Sequence, residues 1–234
     1  MNRIPLGMIV LVVASILVYF GLAQRLLDRM RLTDKSALLF LAALIVGSFI
    51  DIPLARGNVQ VTVNVGGALV PIGLAVYLLA KAGTAWEIGR AMIATAVTAA
   101  AIYVLGSVLM SGDPTSSGIS IDPIYVYPLV AGGVAYILGR SRRAAFVAAT
   151  LGVLSLDIIH MVWLYTTRTP GNVNIGGAGA FDSIVVAGLV AILLAELIGE
   201  TRERLQGGPE SAGRNPELIK NLKGIDKDKD GDKQ

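Results

Sequence analysis

The chain is a succession of long apolar runs separated by short charged patches, and that alternation limits its fold more than any other feature. The runs fall at 5–23, 36–54, 65–80, 87–110, 123–139, 144–165 and 180–198. A bilayer core takes about 20 helical residues at 1.5 Å rise, with about 17 tolerated. Each run is therefore read as a membrane span, the third being short and the seventh extended at its start by a glycine-rich stretch. Only 16% of the 234 residues are charged and 54% are hydrophobic, with a mean hydropathy of +0.66. A soluble domain carries about a quarter charged residues, and aqueous folding cannot hide this much apolar surface. The expectation is an all-α polytopic transmembrane helix bundle of about seven spans, with residues 1–198 as the membrane domain.

Charge between the runs gives a direction. Arg25, Arg29, Arg31 and Lys35 precede the second run, Lys81 and Arg90 flank the start of the fourth, and Arg140, Arg142 and Arg143 separate the fifth and sixth. The opposite side carries only Arg3, Arg56 and Arg168. The positive-inside rule then places the N-terminus outside and the C-terminus in the cytoplasm. Cleavage of the first run as a signal peptide would invert every later loop, so it is read as a retained span. The net charge of +3 and pI near 9.2 do not imply a nucleic-acid partner, because the basic residues sit where topology requires them. Residues 199–234 form a polar tail broken by Gly207-Gly208-Pro209 and are read as a flexible cytoplasmic appendage. Its end, Asp226 to Gly231, has the first half of an EF-hand loop without the glutamate needed at position twelve. The chain has no cysteine, which removes disulfides, thiolate metal sites and a cysteine nucleophile.

Local signals mark several boundaries. Thr84 and Glu87 have capping-box spacing ahead of the fourth run. Asp122-Pro123 reads as an N-cap followed by proline at the first helical position. Trp86, Tyr125, Tyr127, Trp163 and Tyr165 lie near the expected interfaces. Gly132-Gly133, Ala135, Gly139 and the alanines at 94–101 are read as packing faces, since small residues let helices approach in lipid.

Two stretches of sequence resemble each other. Gly57-Asn58-Val59 precedes Asn64-Val65-Gly66-Gly67-Ala68, and Gly171-Asn172-Val173 precedes Asn174-Ile175-Gly176-Gly177-Ala178. Further on, Gly73-Leu74 with Leu78-Leu79-Ala80 echoes Gly188-Leu189 with Leu193-Leu194-Ala195. The order suggests a 3+1+3 internal repeat in which the fourth helix keeps both triplets in one orientation, as parallel repeats do in membrane transporters. Residues 59–65, Val-Gln-Val-Thr-Val-Asn-Val, alternate like a strand and are expected to pair with 172–175 as an outer lid.

Ionisable groups inside spans are costly, about 2.5–3.5 kcal/mol at the bilayer centre on insertion scales, and mark functional sites by default. Asp157 lies roughly 12 Å along the sixth helix from its outer end, and His160, the only histidine, shares its face. Asp182 lies just inside the start of the seventh span, and Asp51 about a turn from the outer end of the second. Glycine- or proline-interrupted spans in corresponding positions point to a transporter binding site. Here they are Gly66-Gly67 with Pro71, and Gly176-Gly177-Ala178-Gly179. Their backbone N–H groups, with the amides of Asn64 and Asn174, are expected to face an outer vestibule. Glu196, at the inner end of the last span, is expected to reach water near Arg202.

These residues support three readings. The first is a carrier in which Asp51, Asp157 and Asp182, with Asn64, His160, Asn174 and backbone at Gly66, Gly67, Gly176 and Gly177, bind a cation or small solute. The second is an intramembrane aspartyl protease with an Asp157/Asp182 dyad, one carboxylate activating water while its partner stays protonated. Gly179-Ala180-Phe181-Asp182 resembles the Gly-x-Gly-Asp motif of presenilin-type proteases, with Phe181 where that motif has glycine. The third is a metal site at Asp157, His160 and Asp182. No lysine in the seventh run could hold retinal, and no phosphate loop, zinc-protease helix or nucleophile elbow is present. No cofactor or resident metal is expected. The expected partners are the lipid bilayer, a small solute or cation, and a second copy of the chain. Through Gly47-Ser48-Phe49-Ile50-Asp51, Asn64 to Pro71 and Gly176 to Asp182, the chain resembles a widespread set of uncharacterised bacterial and archaeal membrane proteins grouped as a domain of unknown function. That resemblance implies a prokaryotic cell membrane and carries no activity.

Overall fold

The computed structural model describes residues 20–27, 32, 34–110 and 123–205. Most of the first expected span, Asp122 and the acidic-basic tail lie outside them. The helices are α1 (20–27), α2 (Asp34–Gly47), α3 (Val70–Ala80), α4 (Ala85–Met110), α5 (Pro123–Gly139), α6 (Arg142–Thr167) and α7 (Ser183–Leu205). A π-turn, Val65–Leu69, runs into α3, and a 3-10 turn, Gly179–Phe181, precedes α7. The described residues are thus mostly helical, but they also hold a sheet of three strands, β1 (Asp51–Ala55), β2 (Val59–Asn64) and β3 (Gly171–Ile175), in that order. Contacts group the chain into Met1–Glu196 and Leu197–Gln234. In the second group, the described residues continue α7, with Thr201 Oγ1 donating to the Leu197 carbonyl at 2.7 Å.

The second apolar run does not stay helical to 54. Helix α2 stops at Gly47, and Asp51 opens β1 instead of lying in the helix. Pro53 supplies the physical reason: it has no N–H to continue the ladder, and its ring would clash with the carbonyl four residues back. Strands β1 and β2 are antiparallel, with Asp51 opposite Asn64 and an irregularity between Pro53 and Ala55. The expected pairing of 59–65 with 172–175 is present. β2 and β3 run parallel, from Val59 opposite Gly171 to Val63 opposite Ile175. Val59, Val61 and Val63 are buried while Gln60 is exposed, so the period of two places one face of β2 in the core.

The helix ends carry the expected chemistry. Glu87 N–H donates to Thr84 Oγ1 at 3.2 Å, and Gly83 N–H donates to Glu87 Oε2 at 3.3 Å. Ser141 caps α6 by accepting Ala144 N–H at 3.1 Å. Arg90 Nε donates to the Leu138 carbonyl at 3.0 Å, where a cation complements the C-terminus of α5. Glu196 does not reach water at the end of α7. It is buried and pairs with Arg142 Nη2 at 2.6 Å, because α6 and α7 are antiparallel and these residues meet where one starts and the other nears its end. With short links at 81–84 and 140–141, the ends of α3 and α5 and the starts of α4 and α6 bring Lys81, Arg90, Arg140, Arg142 and Arg143 to one end of the bundle. The sheet lies at the other.

Small residues line the helix contacts. Ala94, Ala131 and Ala135 are completely buried, while Ile93, Leu129 and Ile137 on the same helices are more than 60% exposed. A Cβ on Gly152 would meet Thr98 Cγ2 at 2.8 Å, and one on Gly139 would meet Ala145 N at 2.7 Å. Among the described residues, two helices, Ala85–Ser107 and Arg142–Thr167, are long and apolar enough to cross a membrane, and four shorter apolar helices accompany them.

Candidate functional site

A knot of backbone joins the end of α2, the π-turn and the turn before α7. Asn64, 2% exposed, anchors it: its Oδ1 accepts Gly67 N–H at 2.8 Å, and its Nδ2 donates to Ser48 O at 3.0 Å and Asp51 Oδ1 at 2.9 Å. Ser48 Oγ donates to Leu44 O at 2.6 Å and accepts Ala180 N–H at 2.8 Å, tying residues 132 positions apart. Glycine is required where the chains cross. A Cβ on Gly67 would overlap Gly176 O, and one on Gly179, whose φ is +61°, would meet Ser48 Cβ and Oγ at 2.6 Å. Two of the four glycines expected to offer their N–H groups to a ligand have partners inside the protein. Gly67 N–H goes to Asn64 Oδ1 at 2.8 Å and Gly177 N–H to Asn174 O at 3.2 Å. Gly66 packs its α-carbon against Leu44 O and Ser48 N, where no side chain fits.

Beside this knot lies a cavity of about 560 Å³. Its walls come from α4 (Tyr103, Ser107), α5 (Tyr127) and α6 (Asp157, His160, Trp163), closed by Asn174 of β3 and Asp182 before α7. Four of the six side chains singled out in the sequence thus share one space: Asp157, His160, Asn174 and Asp182. Asp51 and Asn64 do not line it. They form their own hydrogen-bonded pair, with Asp51 exposed at the edge of the sheet and Asn64 buried as a cap.

Each member of the cavity group is held differently. Asp157 is half-buried on α6 and lines the cavity together with Asp182. Asp182 caps α7, its Oδ1 accepting Ile184 N–H at 2.9 Å, while its Oδ2 accepts Ala178 N–H at 3.2 Å. Asn174 is exposed and its Oδ1 accepts the Thr62 hydroxyl at 2.7 Å across the strand pair. His160 is exposed, its ring centroid 6.3 Å from that of Trp163. Among the described residues, no group of three His, Asp or Glu side chains is arranged to hold a metal ion, so the Asp157, His160 and Asp182 metal reading is set aside. Tyr127 and Trp163, expected only at the interfaces, line the cavity instead, together with Tyr103, which no sequence signal had singled out.

A family model described as protein of unknown function, DUF1614, matches residues 28–194. The chain belongs to that family. The match spans α2 to most of α7 and so includes the knot and every residue of the cavity group. No curated protein and no solved structure matches the chain.

Proposed function

We propose that the chain is a multi-pass protein of a prokaryotic cell membrane, N-terminus outside, in which the Asp157 cavity binds a cation or small cationic solute for passage across the bilayer. The observation that carries this reading is the convergence of Asp157, His160, Asn174 and Asp182 on one cavity of about 560 Å³. Two carboxylates and the rings of Tyr103, Tyr127 and Trp163 surround that space, and among the described residues no lysine or arginine lines it. Carboxylates supply charge for a cation, and aromatic faces add cation–π attraction.

The membrane setting is supported by the inside-out use of side chains. Alanine and glycine fill many of the helix contacts, and large apolar side chains such as Ile93, Leu129 and Ile137 are exposed, an arrangement favoured where lipid replaces water. The collection of basic residues at the end opposite the sheet supports the assigned direction. Parallel pairing of β2 with β3 supports a duplication in which both copies run the same way across the membrane.

A second reading, the intramembrane aspartyl protease, is favoured by one observation: Asp157 and Asp182 face the same cavity. Both Asp182 oxygens accept backbone N–H groups, which aims this carboxyl as a cap and fits a binding wall better than a proton-sharing dyad. The full chain in nanodiscs, titrated with sodium, potassium and methylammonium, separates the readings. Saturable thermal stabilisation by one of these ions, lost in Asp157→Asn and kept in Asp51→Asn, supports carriage. Cleavage of a helical peptide abolished by either Asp157→Asn or Asp182→Asn, without ion stabilisation, would replace it with proteolysis.

A further inference from the structure

A second cavity, of about 380 Å³, lies between the β1–β2 turn and the end of α6, lined by Ala55, Arg56, Asn58, Val59, Leu164, Tyr165 and Arg168 among others. Among the described residues, Arg56 and Arg168 are the cations at the sheet end of the bundle, and both line this cavity although they are 112 positions apart. Among the described residues, neither forms an ion pair and no Asp or Glu lines the space. Both side chains are exposed, so water screens their charges, and an anion seated between them gains charge-assisted hydrogen bonds from each guanidinium.

The backbone beneath the pair is fixed in advance. Arg168 closes α6 in the left-handed conformation, φ 54°, with its N–H on Leu164 O. Thr169 N–H also reaches Leu164 O, at 3.2 Å, and Gly171 N–H donates to Asn58 O at 3.0 Å. The turn carrying Arg56 and the helix end carrying Arg168 are thus joined through the start of the parallel strand pair. Val59 and Leu164, both buried, form an apolar floor, and Asn58 and Tyr165 add neutral hydrogen-bonding groups at the rim.

We propose that Arg56 and Arg168 form an anion site that takes a phosphate group, carried by a lipid headgroup or by a soluble phosphate ester. Each guanidinium is a planar fork that suits a pair of oxygens. The oxygens of a tetrahedral phosphate, monoester or diester, diverge in three dimensions and can face two separate forks, whereas the two oxygens of a carboxylate lie in one plane. The site is separate from the Asp157 cavity and stands whether or not that cavity carries a cation.

The test uses the full chain in nanodiscs of phosphatidylcholine, with and without phosphatidylglycerol, and titrates glycerol 3-phosphate into the former. The variants are Arg56→Gln, Arg168→Asn (asparagine tolerates positive φ) and, as a control at the other end, Arg140→Asn. Thermal stabilisation by phosphatidylglycerol alone assigns the phosphate to lipid, and saturable stabilisation by glycerol 3-phosphate assigns it to a soluble ester. Either supports the site if each cavity variant weakens the response at least about tenfold, as loss of a charge-assisted bidentate contact should, while Arg140→Asn does not. Stabilisation by neither probe, or an equal response in the Arg56→Gln/Arg168→Asn double variant, overturns it.

Discussion

At the scale of single residues, Asn64 and Gly67 make the sharpest claims. Asn64 is buried and uses both ends of its amide, so Asn64→Ala removes a helix-turn cap and leaves buried backbone groups short of partners. The expected cost is about 2–3 kcal/mol, read as a fall in the unfolding midpoint of the chain in detergent. Gly67→Ala should be worse, above about 4 kcal/mol, because the new Cβ meets the Gly176 carbonyl and backbone cannot step aside as a side chain can. Gly73→Ala is the internal control. A Cβ there meets nothing within 4 Å, so that change should be neutral or gain up to about 1 kcal/mol of helix propensity. If Gly67→Ala and Gly73→Ala behave alike, the knot is not as tight as described. The sequence pointed to both Asn64 and Gly67 but assigned them to a ligand. Composition alone cannot separate a glycine that exposes its amide from one that admits another backbone, because both need the same missing side chain.

At the scale of elements, the parallel pairing of β2 with β3 is one of the contacts that bring two distant parts of the chain together. The absence of cysteine makes it directly testable. Paired strands lie about 4.8 Å apart, within the range a disulfide spans. Thr62→Cys with Asn174→Cys should therefore cross-link readily, since these residues are opposite each other. Gln60→Cys with Asn174→Cys, offset by two residues and about 8 Å apart, should not. Equal cross-linking of both pairs would contradict the register. Strand β2 was legible in the alternation of residues 59–65, although that alternation does not itself name β3 as its partner, and α5 and the helical run 65–80 keep the limits expected of them. The boundary of α2 was not legible from hydropathy. Ile50 to Ala55 is apolar apart from Asp51, and a short apolar run reads equally well as helix or strand. Pro53 was the available signal, and its meaning became clear only once β2 was seen to lie alongside. The Arg142–Glu196 pair was hidden for a related reason: it depends on how far two antiparallel helices slide past each other, which neither helix's own sequence records.

At the scale of the whole molecule, the fold separates a basic end from a sheet end, and the proposed orientation makes these cytoplasmic and external. Gly57 and Gly83 each have open space where a Cβ would be, so cysteine at either site should leave the fold intact. In intact cells a membrane-impermeant maleimide should label Gly57→Cys and reach Gly83→Cys only after lysis. The reverse pattern would invert the topology and put the arginine cavity in the cytoplasm. The cavity group itself was half legible. Asp157, His160 and Asp182 followed from the cost of placing ionisable groups within apolar spans. The exclusion of Asp51 did not follow, because it depends on the early end of α2.

The central claim is that Asp157 and its neighbours form a cation path, and the current across a reconstituted membrane tests it most directly. Full-length protein in liposomes on a solid support would be given jumps of sodium, potassium, proton and methylammonium concentration. The account predicts a saturable current for at least one of these ions in the wild type, reduced at least about tenfold in Asp157→Asn and retained in Asp51→Asn, as expected when one charged contact to the ion is lost. No current with any of the four ions, or an undiminished current in Asp157→Asn, would contradict it.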